Sequence, residues 1–173
     1  MSDQDKSRLT FFRDDILRMR GYQAGEQPQG DKIIKLNTNE NPYPCSPSVV
    51  QAIRSVEAGG LQKYPDASAS AFCTAAAPML GVDPRWILCG NGSDEILSIV
   101  TRAFVGPGQK VRWPFPSYVL YSVLTDIQGG LSEPVPFAPD WNLTDEFYSD
   151  QDQLGLVFLA NPNSPSGTLL DPE

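Results

Sequence analysis

Apolar residues recur at Leu9, Phe12, Ile16 and Met19 within SRLTFFRDDILRMR, a spacing of three to four that predicts an amphipathic helix over 7–20, broken at Gly21. The run KIIKL at 32–36 is short and extended, and it gives way to the polar turn NTNENPYP. Ser46 and Pro47 form an N-cap and first-turn pair for a second helix through Val49, Ile53 and Val56, stopped at Gly59 and Gly60. From Ser68 onward, helical and extended patterns alternate. Helices are expected over 69–80, 95–104 and 118–128, with Pro78 unsettling the end of the first. Strands are expected over 86–89, 110–113 and 131–137, the last carrying prolines that suit an edge. The run LGLVFLA at 154–160 reads as a buried strand.

Strands that alternate with helices imply crossovers and a largely parallel sheet, covered on both faces. The expected fold class is therefore α/β, a largely parallel sheet flanked by helices. It is expected to be incomplete at the C-terminus, because the last strand arrives close to residue 173. Residues 1–45 are expected to form an N-terminal helix and arm, and 46–173 the first part of a larger α/β domain.

Composition narrows the classes. The chain has 173 residues, 40% of them hydrophobic, which is enough to bury a core, and no apolar run is long enough to span a membrane. Its first eight residues are polar and charged, unlike a secretory signal. Cys45, Cys73 and Cys89 are widely spaced, no CxxC pair occurs and histidine is absent, so zinc-finger and His-ligated metal readings fall away. Free thiols of this kind suit a reducing, cytoplasmic setting. The net charge is -8 and the basic residues are scattered, which speaks against a nucleic-acid partner. Most of the 16 prolines sit in short turn motifs rather than in a low-complexity tract.

Three motifs carry candidate chemistry. GNGSDE, Gly90–Glu95, stands where a strand is expected to feed a helix. The amides of a helix start and its macrodipole make a phosphate site without a basic side chain, and Ser93 adds a hydroxyl. The same residues also serve as an ordinary helix start, with Ser93 as N-cap and Asp94 and Glu95 in the first turn. They fail as a dinucleotide fingerprint, since the third glycine of GxGxxG is replaced by Glu95. WPFPSY, Trp113–Tyr118, would aim Tyr118 at the carboxyl end of a strand, where open α/β sheets bind ligands and an aromatic can stack on a flat ring. A core tyrosine packed on the next helix is the commoner outcome for such a residue. NPNSPSG, Asn161–Gly167, would set a side-chain amide beside a ligand oxygen, or be a plain turn.

Order and register decide among these readings. LNTNENPYP, KYPD, GNGSDE, PFPSY and NPNSPSG together resemble the first half of the histidinol-phosphate aminotransferases, members of the fold-type I aminotransferases, which depend on pyridoxal 5'-phosphate. The resemblance runs from Gly21 to Gly167. It implies that Ser93 and Asp94, with the amides around Gly92, hold the cofactor phosphate, and that Tyr118 stacks on the pyridine ring. Tyr64 matches a tyrosine that reaches the cofactor phosphate of the other subunit, which implies a homodimer with shared sites. Tyr22 and Asn39 match segments that line the substrate pocket. The family's usual NPNNPTG has an asparagine before its second proline, bonded to the cofactor's phenolic oxygen, and here that position is Ser164. Asn163 and Ser164 are both left as candidates for the contact.

The resemblance implies transfer of an amino group from histidinol phosphate to 2-oxoglutarate, giving imidazole-acetol phosphate and glutamate, in histidine biosynthesis. Aromatic aminotransferases and a threonine-phosphate decarboxylase carry similar motifs. In such enzymes the acid that faces the pyridine nitrogen and the Schiff-base lysine both follow the NPNNPTG turn. The five lysines here, Lys6, Lys32, Lys35, Lys63 and Lys110, match none of those positions. The chain as given is thus expected to lack turnover, either as part of a longer enzyme or as a non-catalytic paralogue that acts through subunit association. A nucleotide-binding α/β domain is disfavoured by the broken glycine pattern.

Overall fold

The computed structural model describes residues 11–19, 33–36, 39–149 and 151–171. These fall into two compact units, one of residues 11–19 with those from Gly90 onward, the other running from 33 to Cys89. The helices, in chain order, are α1 (Asp14–Arg18), α2 (Pro47–Arg54), α3 (Ser70–Leu80), α4 (Ser93–Phe104), α5 (Leu120–Gln128) and α6 (Asp145–Tyr148). Three strands, β1 (Lys110–Phe115), β2 (Leu131–Pro136) and β3 (Leu154–Val157), form one sheet in the order β2-β1-β3, parallel throughout.

β1 lies in the middle and is covered on both faces, so Val111, Arg112, Trp113 and Pro114 are all buried. Alternate residues of a strand point to opposite sides. Val111 and Trp113 join Val105, Tyr121 and Phe158 in the core, with Leu97, Val100, Tyr118 and Leu156 packed against it. Tyr121 stacks on Phe158 at a centroid distance of 4.5 Å and meets Trp113 edge-on at 6.1 Å. The helices that supply this layer, α4 and α5, pack on each other, α4 also on β3 and α5 on β2.

Arg112 alternates to the other side of β1 with only 3% of its surface exposed. Its Nε donates to Glu133 Oε2 on β2 at 2.6 Å. Its Nη1 donates to the carbonyls of Phe147 (2.8 Å) and Ser149 (2.6 Å), at the end of α6. A buried guanidinium is tolerable only when paired and hydrogen-bonded, and this set of bonds joins two strands and a helix.

The ladder between β1 and β3 slips once: Lys110 pairs with Leu154 and Val111 with Leu156, leaving Gly155 out of register. A Cβ on Gly155 would stand 3.1 Å from the carbonyl oxygen of Phe104, so a side chain there would push β3 off the end of α4. The strand expected to be buried over 154–160 is shorter, and it is an edge. Leu154, Gly155 and Leu156 are half-buried, and Val157 and Leu159 are 42% and 47% exposed, because β3 is paired on one side only among the described residues. The proline-bearing β2 is the opposite edge, as its composition suggests.

In the 33–89 unit, α2 ends at Arg54, short of the two glycines, because Ser55 turns its hydroxyl back onto the Ala52 carbonyl at 2.8 Å. Ser46 occupies the N-cap, but its hydroxyl meets that of Ser48 rather than a backbone amide. α3 runs through Pro78 to Leu80 and closes on Gly81 in the left-handed conformation. The strand expected over 86–89 is absent. Pro84–Trp86 is a 3-10 turn capped by Asp83, whose carboxylate accepts from the Arg85 amide at 2.8 Å, and the residues after it have no ladder partner. Of the helix expected over 7–20, the described part is α1, and 7–10 and Arg20 lie outside the described residues, as does Lys32 of the expected extended run.

Two predictions follow from these contacts. Arg112→Ala takes this donor from the Phe147 and Ser149 carbonyls and leaves Glu133 with Lys110 at 3.4 Å, and it is expected to cost about 1–3 kcal/mol in denaturant unfolding. At the start of α3, Asp66 accepts hydrogen bonds from Ser70, above all, and from Ser68, which hold its carboxyl at about 2 against an ordinary 3.8. A depressed carboxyl stabilises the fold fully above 3.8 and loses that contribution as the pH falls through about 2. Circular dichroism on acid titration is expected to show this loss in the native chain and not in Asp66→Ala.

Candidate cofactor site

Parallel strands deliver their following turns to one edge of a sheet, and three turns or helix starts converge there in the larger unit. The first is the amino end of α4. Gly92 is its N-cap with φ +80° and ψ 173°, a region closed to residues with a side chain. The first amides of α4 have no carbonyl of their own helix to bond, so they point outward as donors. Two carboxylates lie close by, and both are drawn aside. Glu95 folds back to accept from the Asn91 amide at 2.5 Å. Asp94 accepts from the Tyr118 hydroxyl at 3.1 and 3.4 Å. The Gly92 amide donates to the Gly90 carbonyl at 3.0 Å, which leaves the exposed Ser93 hydroxyl and the Ser93 and Asp94 amides as a candidate anion cradle at the positive end of the helix dipole.

The second element is the turn after β1. Pro116, Ser117 and Tyr118 leave the strand and lead into α5, and Tyr118 is half-buried with its ring edge-on to Tyr121 at 5.8 Å and 87°. The third is the turn after β3. Asn163 is buried, accepting from the Ser117 hydroxyl at 2.8 Å and donating to the Pro116 carbonyl at 3.1 Å and the Ser166 hydroxyl at 2.9 Å. Ser164, one residue on, is exposed. Asn161 brackets the backbone of Leu170, accepting from its amide at 2.9 Å and donating to its carbonyl at 3.2 Å.

Gly92, Ser93, Asp94, Tyr118, Asn163 and Ser164 thus belong to one unit, with Tyr118 bonded to Asp94 and its neighbour Ser117 bonded to Asn163. Tyr64 and Asn39 lie in the other unit, both exposed, and Asn39 has φ +52°. Tyr22 lies outside the described residues. The motifs, through their family resemblance, put forward Asn163 and Ser164 together for the ligand contact, but not the Ser117 and Ser166 hydroxyls that hold Asn163. Their one signal was the spacing of serines beside the prolines in the PFPSY and NPNSPSG turns, which turn chemistry explains equally well.

Residues 31–173 match the family model described as aminotransferase class I and II. The chain belongs to that family. Among its curated relatives, the histidinol-phosphate aminotransferase of Rhodopirellula baltica is 52% identical over 160 residues, covering 92% of this chain and 44% of the relative. The histidinol-phosphate aminotransferase 1 of Trichormus variabilis is 43% identical over 161 residues, 92% of this chain and 46% of that protein. The crystal structure of histidinol-phosphate aminotransferase from Sinorhizobium meliloti in complex with pyridoxal-5'-phosphate superimposes with a TM-score of 0.64 at 32% identity, over 74% of this chain and 35% of that one. The chain spans less than half the length of the curated relatives it matches. The α/β fold with its parallel sheet is that of the fold-type I aminotransferases.

The donor set fits a phosphorylated aromatic ligand: backbone amides for an anion, and an aromatic ring anchored beside them. Gly92→Ala is expected to cost about 1–3 kcal/mol in urea unfolding, through its backbone angles rather than through any clash. A Cβ there meets nothing within 4 Å, so a larger loss would mean that the open space is closed.

Proposed function

We propose that the protein binds pyridoxal 5'-phosphate at the amino end of α4 and serves amino-group transfer from histidinol phosphate to 2-oxoglutarate. The observation that carries the reading is the convergence of the α4 amides, the Tyr118 ring and the 161–167 turn at the carboxyl ends of parallel strands. The 52% identity to a histidinol-phosphate aminotransferase supplies the substrate class.

In this reading the amides of Ser93 and Asp94 and the Ser93 hydroxyl hold the phosphate, and Gly92 shapes the turn that presents them. The Tyr118 phenyl face carries the ring, and its hydroxyl keeps the Asp94 carboxylate away from the phosphate. Ser164 presents a free-standing hydroxyl at the surface of the 161–167 turn, while the Asn163 amide beneath it is engaged with protein groups. We therefore give the contact to the ring's phenolic oxygen to Ser164. When bound, pyridoxal phosphate supplies a conjugated cation that takes up the electron pair left on the substrate carbon as its proton departs. Tyr64 contributes to the phosphate site of a second subunit in a homodimer, Tyr22 and Asn39 line the substrate pocket, and the setting is the cytoplasm.

Titrating the protein with pyridoxal phosphate is expected to give a saturable change in aromatic fluorescence, weakened in Gly92→Ala. Protein isolated from its source cells is expected to form glutamate when given histidinol phosphate and 2-oxoglutarate. No saturable binding would sink the cofactor site, whereas glutamate formed from aromatic amino acids alone would move the substrate to another branch of the family.

A further inference from the structure

Asn163 is 2% exposed, although it sits in a turn of Asn, Pro, Ser and Gly that would be expected to face water. Both hydrogens of its Nδ2 are committed, one to the Pro116 carbonyl and one to the Ser166 hydroxyl, while its Oδ1 takes the Ser117 hydroxyl. Its backbone closes its own turn as well, the amide donating to Thr168 at 2.8 Å and the carbonyl accepting from Gly167 at 2.7 Å. The bonds to Ser117 and Pro116 cross 46 and 47 residues of sequence and tie the turn after the middle strand to the turn after an edge strand.

Tyr118 needs such a tie. The β1 ladder ends with Phe137 donating to the Phe115 carbonyl at 3.0 Å, and α5 begins only at Leu120. Residues 116–119 therefore bridge two regular elements without belonging to either. The Tyr118 ring is held from outside by Asp94 at its hydroxyl and by Tyr121 at its edge, but those contacts leave the backbone to which it is attached unspecified. The Tyr118 carbonyl accepts from the Tyr121 amide at 3.3 Å, toward α5, and on the β1 side that backbone is fastened at the neighbouring Ser117, 8% exposed.

We propose that Asn163 is a positioning residue, whose side-chain amide clasps the 115–118 turn to the 161–167 turn and thereby sets the plane of the Tyr118 ring. The inference rests on the reading of Tyr118 as the platform for the cofactor ring. An amide is required at this position: an aspartate could still accept from Ser117, but it would face the Pro116 carbonyl as one acceptor against another. The clasp acts on the ring and leaves the phosphate cradle alone, since the α4 amides are organised by Gly92 and Glu95.

The test uses the full chain and its variants Ser117→Ala, Asn163→Asp and Ser166→Ala, each titrated with pyridoxal 5'-phosphate and, in parallel, with inorganic phosphate. The readouts are Kd, the thermal midpoint, and the circular-dichroism band that the ligand ring acquires when it is held in one orientation. Ser117→Ala, which trims a single hydroxyl, and Asn163→Asp are expected to weaken pyridoxal phosphate by about 5- to 10-fold, the effect of one lost hydrogen bond, and to shrink the band at saturation. Phosphate affinity is expected to be unchanged, and Ser166→Ala, which cuts a bond inside one turn, is expected to behave as the parent. Unchanged Kd and band in both Ser117→Ala and Asn163→Asp would overturn the clasp. So would an equal loss of both ligands with a lowered midpoint, the result of a merely structural role. A parent chain that binds phosphate but shows no saturable pyridoxal phosphate band would overturn the cofactor reading, and the clasp with it.

Discussion

A guanidinium shut away from water has to find its hydrogen-bond partners inside the protein, and Arg112 draws them from separate segments. One is a side chain on β2, and the others are backbone carbonyls where α6 ends. Desolvating that charge costs several kcal/mol, a cost that is offset only if the edge strand and the helix are both in place. The opposite face of the same strand carries Val111 and Trp113 into the aromatic core with Tyr121 and Phe158. A strand committed on both faces and both edges leaves its neighbours little freedom. The register of β2, the seat of α6 and the packing of α4 and α5 all answer to β1.

That order reaches the candidate site through the turns. Because the strands are parallel, the segments that leave β1 and β3 emerge on one edge, beside the amino end of α4. The chemistry collected there owes nothing to a basic side chain. Outward-facing amides provide the positive end, and the two nearest carboxylates are each occupied by a neighbouring donor, Asp94 by Tyr118 and Glu95 by Asn91. An acidic chain, with a net charge of -8, can in this way present a locally favourable site for an anion. The kinship with the class I and II aminotransferases gives this arrangement a family context without altering how the forces operate.

Local signals were enough for much of the chain. The alternation of helical and extended patterns located α3, α4, α5, β1 and β2 to within a few residues, since amphipathic helices repeat at their own period and the strands between them are short extended runs bounded by turns. The GNGSDE, PFPSY and NPNSPSG motifs pointed to Ser93, Tyr118 and the 161–167 turn, because glycine, proline and asparagine mark backbone geometry that few other residues allow, and the family resemblance added Asp94, Asn163 and Ser164. Where a local signal needed a distant partner it failed. The run over 86–89 has strand-like residues, but no ladder is there to receive it. The apolar run from Leu154 was expected inside and lies at an edge.

The α/β class, the order of most elements and the residue types gathered at the candidate site were legible in the sequence. Those follow from periodicity and backbone preference, which act over a few residues. Tertiary structure alone decided that Arg112 is a buried hub, that Gly155 must lack a side chain beneath Phe104, and that Asn163 faces inward to Ser117. Burial and hydrogen-bond satisfaction depend on groups tens of residues away, and no window on the sequence contains both partners of such a bond.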